Sequence, residues 1–96
     1  MGRFDVYRAA DGVLLLDCQA DLLNGLNTRI VVPLMEEKAA PVPARRLNPL
    51  LQVGEQSYVM VTQFLAAVPA RELVTRIASL EDEVISQALD MLLTGI

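Results

Sequence analysis

The sequence predicts a mainly β fold that carries one C-terminal α-helix. Two turn dipeptides, Asp11-Gly12 and Gly54-Glu55, each separate a pair of short apolar runs, which is typical of β-hairpins. After Ser79 an acidic start leads into an apolar pattern with helical spacing. A chain of 96 residues holds one core, so we expect a single domain over residues 1–96.

The N-terminal half predicts three strands and a long connection. Residues 4–7 alternate between apolar and charged side chains, and residues 13–16 form an apolar run after the first turn. Residues 28–32 are rich in β-branched side chains, and this strand is expected to end at Pro33, which cannot donate to a central ladder. Residues 36–49 contain several prolines and predict a long loop or a small appended sheet.

The segment before the helix predicts a second hairpin from residues 50–53 and 57–62. Val68-Pro69 is expected to end the sheet region. Residues 70–78 fit a helix and a strand equally well, so their type stays open at this stage.

The last segment predicts a helix from Leu80 to about Leu93. Ser79 and Asp82 form a capping pattern at its start, and Gly95 is expected to stop it. The apolar side chains of this helix form two rows. The row expected to pack on the sheet consists of Leu80, Val84, Ala88 and Leu92. The row expected to need a partner consists of Ile85, Leu89, Leu93 and Ile96.

The overall composition predicts an oligomer rather than a membrane protein. The hydrophobic share is 53% and the mean hydropathy is +0.39, more apolar surface than a small monomer buries easily. The longest apolar stretch, residues 30–35, is too short to span a bilayer. The N-terminus lacks a secretory apolar region. We therefore expect a cytoplasmic homo-oligomer.

The residue types exclude several catalytic chemistries. The sequence has no histidine and a single cysteine, Cys18, which excludes Ser-His or Cys-His catalysis and the usual zinc sites. We interpret Cys18 as a small buried hydrophobic residue.

The charge distribution argues against direct nucleic-acid binding. The net charge is −4, and neither lysine nor arginine follows Arg76. The acidic C-terminal region would repel phosphates, so a nucleic-acid role would have to use Arg29, Arg45 and Arg46 elsewhere.

Several strings in order resemble one protein family, the CcdB toxins. They occupy residues 17–23, 27–34, 53–60, 67–69 and 92–96. The resemblance extends from Phe4 to Ile96 and so covers nearly the whole chain.

The resemblance implies a fold, an activity and partners. The fold would be an SH3-like antiparallel β-barrel with a small side sheet and one C-terminal α-helix, assembled as a homodimer. The protein would be the toxin of a type II toxin–antitoxin system, without catalytic activity or cofactor. It would bind the DNA gyrase A subunit and trap the cleaved-DNA complex. A cognate antitoxin with a disordered C-terminal segment would neutralise it.

The resemblance also assigns gyrase-binding residues, which lie at the end of the helix and in the segment before residues 27–34. Because Leu22 and Leu23 are adjacent, an extended strand would point them to opposite faces, so one of them should be exposed or at an interface. The best-known family pattern has a tryptophan where this chain has Thr94. The assigned residues are Leu22, Leu23, Asp90, Leu93, Thr94, Gly95 and Ile96.

Two alternative functions stay open from the sequence. A MazF-like endoribonuclease has a similar fold, and here Thr28 and Arg29 would be its candidate groups. A CcdB homologue without toxicity is the other, and growth arrest on expression distinguishes it from a toxin.

Overall fold

A computed structural model of the protein describes residues 2–41, 43–44, 46–81 and 83–95. Within these ranges the chain forms seven antiparallel strands and one α-helix, so the predicted mainly β fold with a C-terminal helix is confirmed. The elements are β1 (Asp5–Arg8), β2 (Leu14–Asp17), β3 (Thr28–Met35), β4 (Leu50–Val53), β5 (Gln56–Met60), β6 (Ala66–Pro69), β7 (Thr75–Ser79) and α1 (Glu83–Thr94).

The strands form a curled half-barrel in the order β4-β5-β3-β2-β1-β7, with β6 also paired to β3. Both predicted hairpins are present, as the β1–β2 and β4–β5 pairs. The β4–β5 hairpin joins the end of β3 through Leu34 and Met35 and is part of the same sheet. The long strand β3 therefore connects all parts of the sheet.

Pro33 does not end its strand, contrary to the prediction, because β3 changes partners around it. Residues 28–31 of β3 pair with β6, and Leu34 and Met35 pair with β5. The Pro33 carbonyl, which lies on the same side as its nitrogen, accepts a bond from the Val61 backbone N–H at 3.1 Å. A proline is tolerated here because no ladder requires its missing N–H on that side.

The sheet also continues past Pro69, which corrects the predicted end of the sheet region. After β6 a 3-10 turn, Ala70–Glu72, leads into β7, which pairs with β1 at the edge. The segment left open at residues 70–78 thus begins with this 3-10 turn and becomes strand from Thr75. In the described part of residues 36–49 the chain is a loop with one 3-10 turn, Glu37–Ala39.

The helix begins three residues later than Leu80, the predicted start. Ser79 is the last residue of β7, and the Leu80 backbone N–H still bonds to the Phe4 carbonyl at 2.9 Å. Asp82, the other half of the predicted capping pattern, lies outside the described residues. The end matches the prediction, since Gly95 has a φ of +77° and stops the helix.

The core fills the space between the inner face of the sheet and α1. Ile85 and Leu89, expected to need a partner, are buried within this core instead. No helix in the described part of the chain has the length and apolar character needed to cross a membrane. The core consists of Val6, Leu14, Leu16, Cys18, Val32, Leu34, Leu51, Met60, Ile85, Ala88 and Leu89.

Candidate functional site

The last turn of α1 displays four of the predicted site residues on the surface. Asp90, Leu93, Thr94 and Gly95 are all exposed, and Leu93 is 68% exposed. We call residues 90–95 the helix tip. Ile96, the last predicted site residue, lies outside the described residues.

The helix tip is held in shape by its own chain. The Thr94 hydroxyl donates to the Asp90 carbonyl at 2.7 Å, and the Gly95 N–H donates to the Met91 carbonyl at 3.1 Å. These bonds satisfy two of the carbonyls that a helix C-terminus leaves open. Leu93 is thereby presented on an ordered turn.

The electrostatics of the helix tip favour a cationic partner. The last turn, which lies within the described residues, contains no basic side chain. The C-terminal end of a helix carries a partial negative charge, and the exposed Asp90 carboxylate adds to it. An apolar side chain beside uncompensated negative charge is complementary to a basic surface with an apolar pocket.

The other two predicted site residues lie in an exposed loop between β2 and β3. Residues 20–27, which we call the leucine loop, are all exposed, and Leu22 is 94% exposed. Leu22 and Leu23 lie on a 3-10 turn, Asp21–Leu23, and not on the extended strand that the sequence argument assumed. The expected exposure is confirmed, and both leucines show it.

Leu26 is an exposed apolar residue that the sequence prediction missed. It lies in the same loop, about half exposed, three residues after Leu23. Its backbone N–H bonds to the Leu23 carbonyl at 3.1 Å, so the two positions are linked. The sequence does contain a signal that Leu26 is exposed. It lies between Asn24-Gly25 and Asn27, and residues in such turn-forming segments are rarely part of the core.

A buried ion pair lies beneath the leucine loop. Both side chains, Asp17 at the end of β2 and Arg29 in β3, are 0% exposed. Arg29 donates from Nε and Nη2 to Asp17 Oδ2 at 3.0 and 2.6 Å. Its remaining nitrogen, Nη1, donates to the Asn24 Oδ1 at 2.9 Å, which connects the pair to the loop.

Gln19 forms a second connection between the sheet and the loop. Its side-chain nitrogen donates to the Leu23 carbonyl at 2.8 Å, and its side-chain oxygen accepts from the Ile30 N–H at 3.1 Å. Its own N–H donates to Asp17 Oδ1 at 3.1 Å. One hydrogen-bonded network thus supports the turn that carries Leu22 and Leu23.

The structure brings the predicted site residues into two groups. Asp90, Leu93, Thr94 and Gly95 share the helix tip, and Leu22 and Leu23 share the leucine loop. The two groups lie on different elements of the fold. Their joint action as one binding surface is part of the proposed function.

Two of the residues considered for catalysis, Cys18 and Arg29, are buried and already engaged. Burial, followed by the nearby Asp17 carboxylate, raises the pKa of the Cys18 thiol to about 12, so the thiol stays protonated and unreactive at neutral pH. Arg29, the endoribonuclease candidate, cannot reach an RNA phosphate because it is buried against Asp17. Thr28 is exposed, but its neighbour supplies no accessible charge.

The described residues also show no group of three or more side chains that could hold a metal ion. Arg45, one of the basic residues considered for nucleic acid, lies outside these residues. Leu22, Leu23 and Leu93, three of the exposed residues predicted for the site, are apolar, which suits contact with another protein.

A sequence model of the CcdB protein family matches residues 3–95 of the 96-residue chain. This match includes the sheet, the leucine loop and the helix tip, the parts on which the resemblance in the sequence also rested. The chain therefore belongs to the CcdB family, which supplies the toxins of toxin–antitoxin systems.

Proposed function

We propose that this protein binds the DNA gyrase A subunit, traps the cleaved-DNA complex and is neutralised by a cognate antitoxin. Membership of the CcdB family supports the proposal, since gyrase poisoning is the activity associated with that family. The antitoxin would wrap the toxin with a segment that folds on binding. The proposed location is the cytoplasm, where gyrase acts.

One observation carries the proposal: the helix tip is apolar, anionic and exposed. Leu93 packs far less than the other leucines of α1, although it belongs to the same row as the buried Ile85 and Leu89. A large apolar side chain that stays in water adds little to folding, so its display on an ordered turn is better explained by a partner that covers it. The tip, together with Leu22 and Leu23 of the leucine loop, is therefore the surface that we assign to gyrase.

The proposed action is binding rather than catalysis. The chain has no histidine, its one thiol is buried and protonated, and its buried arginine is paired. A poison needs only a surface that favours one state of its target, because differential affinity alone shifts an equilibrium. A toxin that acts only by binding therefore needs no catalytic group, and a contact surface such as the acidic tip is sufficient.

We also propose that the protein acts as a homodimer, which would present two helix tips together. Large apolar side chains remain exposed on several elements, including β4, β7 and the helix tip, and a partner copy would cover part of them. Light scattering at micromolar concentration should give a mass near twice 10.5 kDa, and the monomer mass would contradict this. The exposed large apolar residues are Val13, Leu22, Leu23, Leu26, Leu50, Phe64, Val74, Ile77 and Leu93.

A truncation tests the proposed site. Deletion of residues 94–96 should abolish growth arrest and binding to a gyrase A fragment while the melting temperature stays near that of the full chain. The fold should persist because Ile85, Ala88 and Leu89 still fill the core. Leu50→Ala, a change at another exposed leucine on the edge strand β4, is the matched control and should keep both activities.

Three outcomes contradict the proposal in different ways. If the truncated chain melts far earlier, the tip is structural. If it binds the gyrase fragment with unchanged affinity, the site is assigned wrongly. If the full chain folds but neither arrests growth nor binds the fragment, the protein is a CcdB homologue without toxicity.

A further inference from the structure

The leucine loop has no apolar anchor in its own chain. Every residue from 20 to 27 is exposed, and the 3-10 turn within it buries none of its side chains. Loops with few buried contacts open readily, so apolar packing does not explain why this one is ordered. Polar contacts from outside the loop must hold it.

Four hydrogen bonds connect the loop to the rest of the chain, and one of them, from the Ala70 N–H to the Asn27 carbonyl at 2.8 Å, uses only backbone atoms. The Arg29 guanidinium donates to the Asn24 side chain at 2.9 Å, and the Gln19 amide donates to the Leu23 carbonyl at 2.8 Å. The Arg3 backbone N–H donates to the Asp21 carboxylate at 2.8 Å. The bond to Asn24 is charge-assisted, which makes it one of the stronger kinds.

The Arg29 end of that bond is fixed by burial. Arg29 and Asp17 are fully buried, and two nitrogens of the guanidinium bond to one carboxylate oxygen. A planar guanidinium held at two nitrogens leaves the third with a set direction. Asn24 therefore bonds to a donor whose position is determined by the sheet.

A buried ion pair is weak evidence for stability, because desolvation offsets the attraction of its charges. In some proteins such a pair instead selects one specific conformation. Here the conformation at stake is that of the loop, since the third guanidinium nitrogen bonds to the loop and to no sheet residue among those described.

We propose that Asn24 is a positioning residue that, through the buried Asp17–Arg29 pair, orders the leucine loop for partner binding. This inference rests on the proposed function, in which Leu22 and Leu23 contact gyrase. An ordered loop binds more tightly because less conformational freedom is lost on association. Asn24 acts through the loop backbone and needs no contact with the partner.

Three full-length variants test this role. Asn24→Ala removes the acceptor and leaves the buried pair in place, whereas Asn24→Asp keeps an acceptor for Arg29 and should behave as the wild type. Asn27→Ala is the matched control: Asn27 is an exposed loop residue, and its bond to the rest of the chain, from the Ala70 N–H to its carbonyl at 2.8 Å, uses only the backbone.

Two measurements are needed for each variant. Amide hydrogen exchange in the free protein follows the N–H groups of Leu23 and Leu26, which bond to the Ala20 and Leu23 carbonyls. Calorimetry gives the affinity for a gyrase A fragment. Asn24→Ala should speed exchange at both amides and weaken binding about tenfold, with a nearly unchanged melting temperature.

Asn24→Ala with wild-type exchange and affinity would overturn the inference, as would a loss that Asn24→Asp does not restore. Leu22→Ala and Leu23→Ala separate this result from the proposed function. If those two variants bind the fragment like the wild type, the loop is not part of the gyrase site. The exchange rates of Asn24→Ala then decide alone whether Asn24 orders the loop.

Discussion

The two ends of α1 carry the same kind of side chain in opposite environments. Ile85, in the first turn, is 0% exposed and packs in the core, whereas Leu93, eight residues later in the same row, is largely exposed. Burial of the row therefore stops between Leu89 and Leu93. A periodic apolar row identifies a helix face, but the surrounding structure decides which members of the row are buried.

The difference assigns a separate role to each end. The first end contributes to folding, because removal of its apolar surface from water stabilises the native state. The second end contributes little to folding and remains available for a partner. Stability and activity should therefore respond to different substitutions in one helix.

The largest expected effect comes from truncating the buried end. Ile85→Ala should lower the free energy of unfolding by about 2 to 5 kcal/mol, because it leaves a cavity in the core. Leu93→Ala should change it by about 0.5 kcal/mol or less, because the side chain is mostly in water. Urea unfolding of both variants measures the contrast.

The same pair of variants should give the reverse order in gyrase binding. Folded Ile85→Ala protein should bind the gyrase A fragment normally, and Leu93→Ala should bind it weakly. Equal losses of stability in both variants would show that a partner copy buries Leu93 in the folded state, and the division between the two ends would not stand.

The sequence predicted elements well where local pattern decides them. The two turn dipeptides and the alternation around them were sufficient for both hairpins. β7 could not be recognised, because it is an edge strand with mostly exposed residues and so lacks a clear apolar alternation. The continuation of β3 through Pro33 depends on a change of strand partners, which is a property of the whole sheet.

The residues of the site were predictable from the sequence, but the contacts that hold them in place were not. Leu22, Leu23 and Leu93 were named from the resemblance, and all three are exposed. The Arg29 guanidinium that bonds to the loop is held in place by Asp17, 12 positions earlier in the chain. Local sequence pattern carries no signal for such a pair. The sequence argument assigned Ser79 to the start of the helix. Its place at the end of β7 depends on pairing with β1, which local sequence pattern does not reveal.

The contacts of Asp5 with Ser79 and Arg76, just before the buried end of α1, should stabilise the fold less in acid. Burial raises the pKa of Asp5, but hydrogen bonds from Ser79 and the Gly2 N–H, with the charge of Arg76, outweigh it and lower the pKa overall. Asp5 therefore stabilises the fold at pH above about 4, its ordinary unfolded range, and this contribution is lost as the pH falls through the lowered value.

Asp5→Asn tests that assignment by urea unfolding at several pH values. The variant should be less stable than the wild type at pH 7, by less than the loss in Ile85→Ala, and the difference should close as the pH falls below 4. A difference that stays constant with pH would mean that the Asp5 charge does not hold the junction. Leu93→Ala should follow the wild-type pH profile, since Leu93 lies at the other end of the helix.

The smallest expected effect concerns Gly95, which ends the exposed part of α1. Its φ of +77° is unfavourable for residues with a Cβ atom, although a Cβ there would meet no atom within 4 Å. Gly95→Ala should cost about 1 kcal/mol through this backbone strain, and Gly95→Asn less, because asparagine adopts positive φ more easily. Thermal unfolding of both variants measures the difference.

Binding by the same two variants shows why glycine stands at the tip. If the glycine serves only the helix end, Gly95→Asn should bind the gyrase A fragment nearly as well as the wild type, and Gly95→Ala should bind more weakly. If the partner backbone approaches the tip closely, both variants should lose affinity, because any side chain occupies the space that contact needs. We expect the second result, since the tip is exposed and the strain alone is small. Retained affinity in Gly95→Asn would limit Gly95 to ending the helix and leave Leu93 as the contact residue of the described tip.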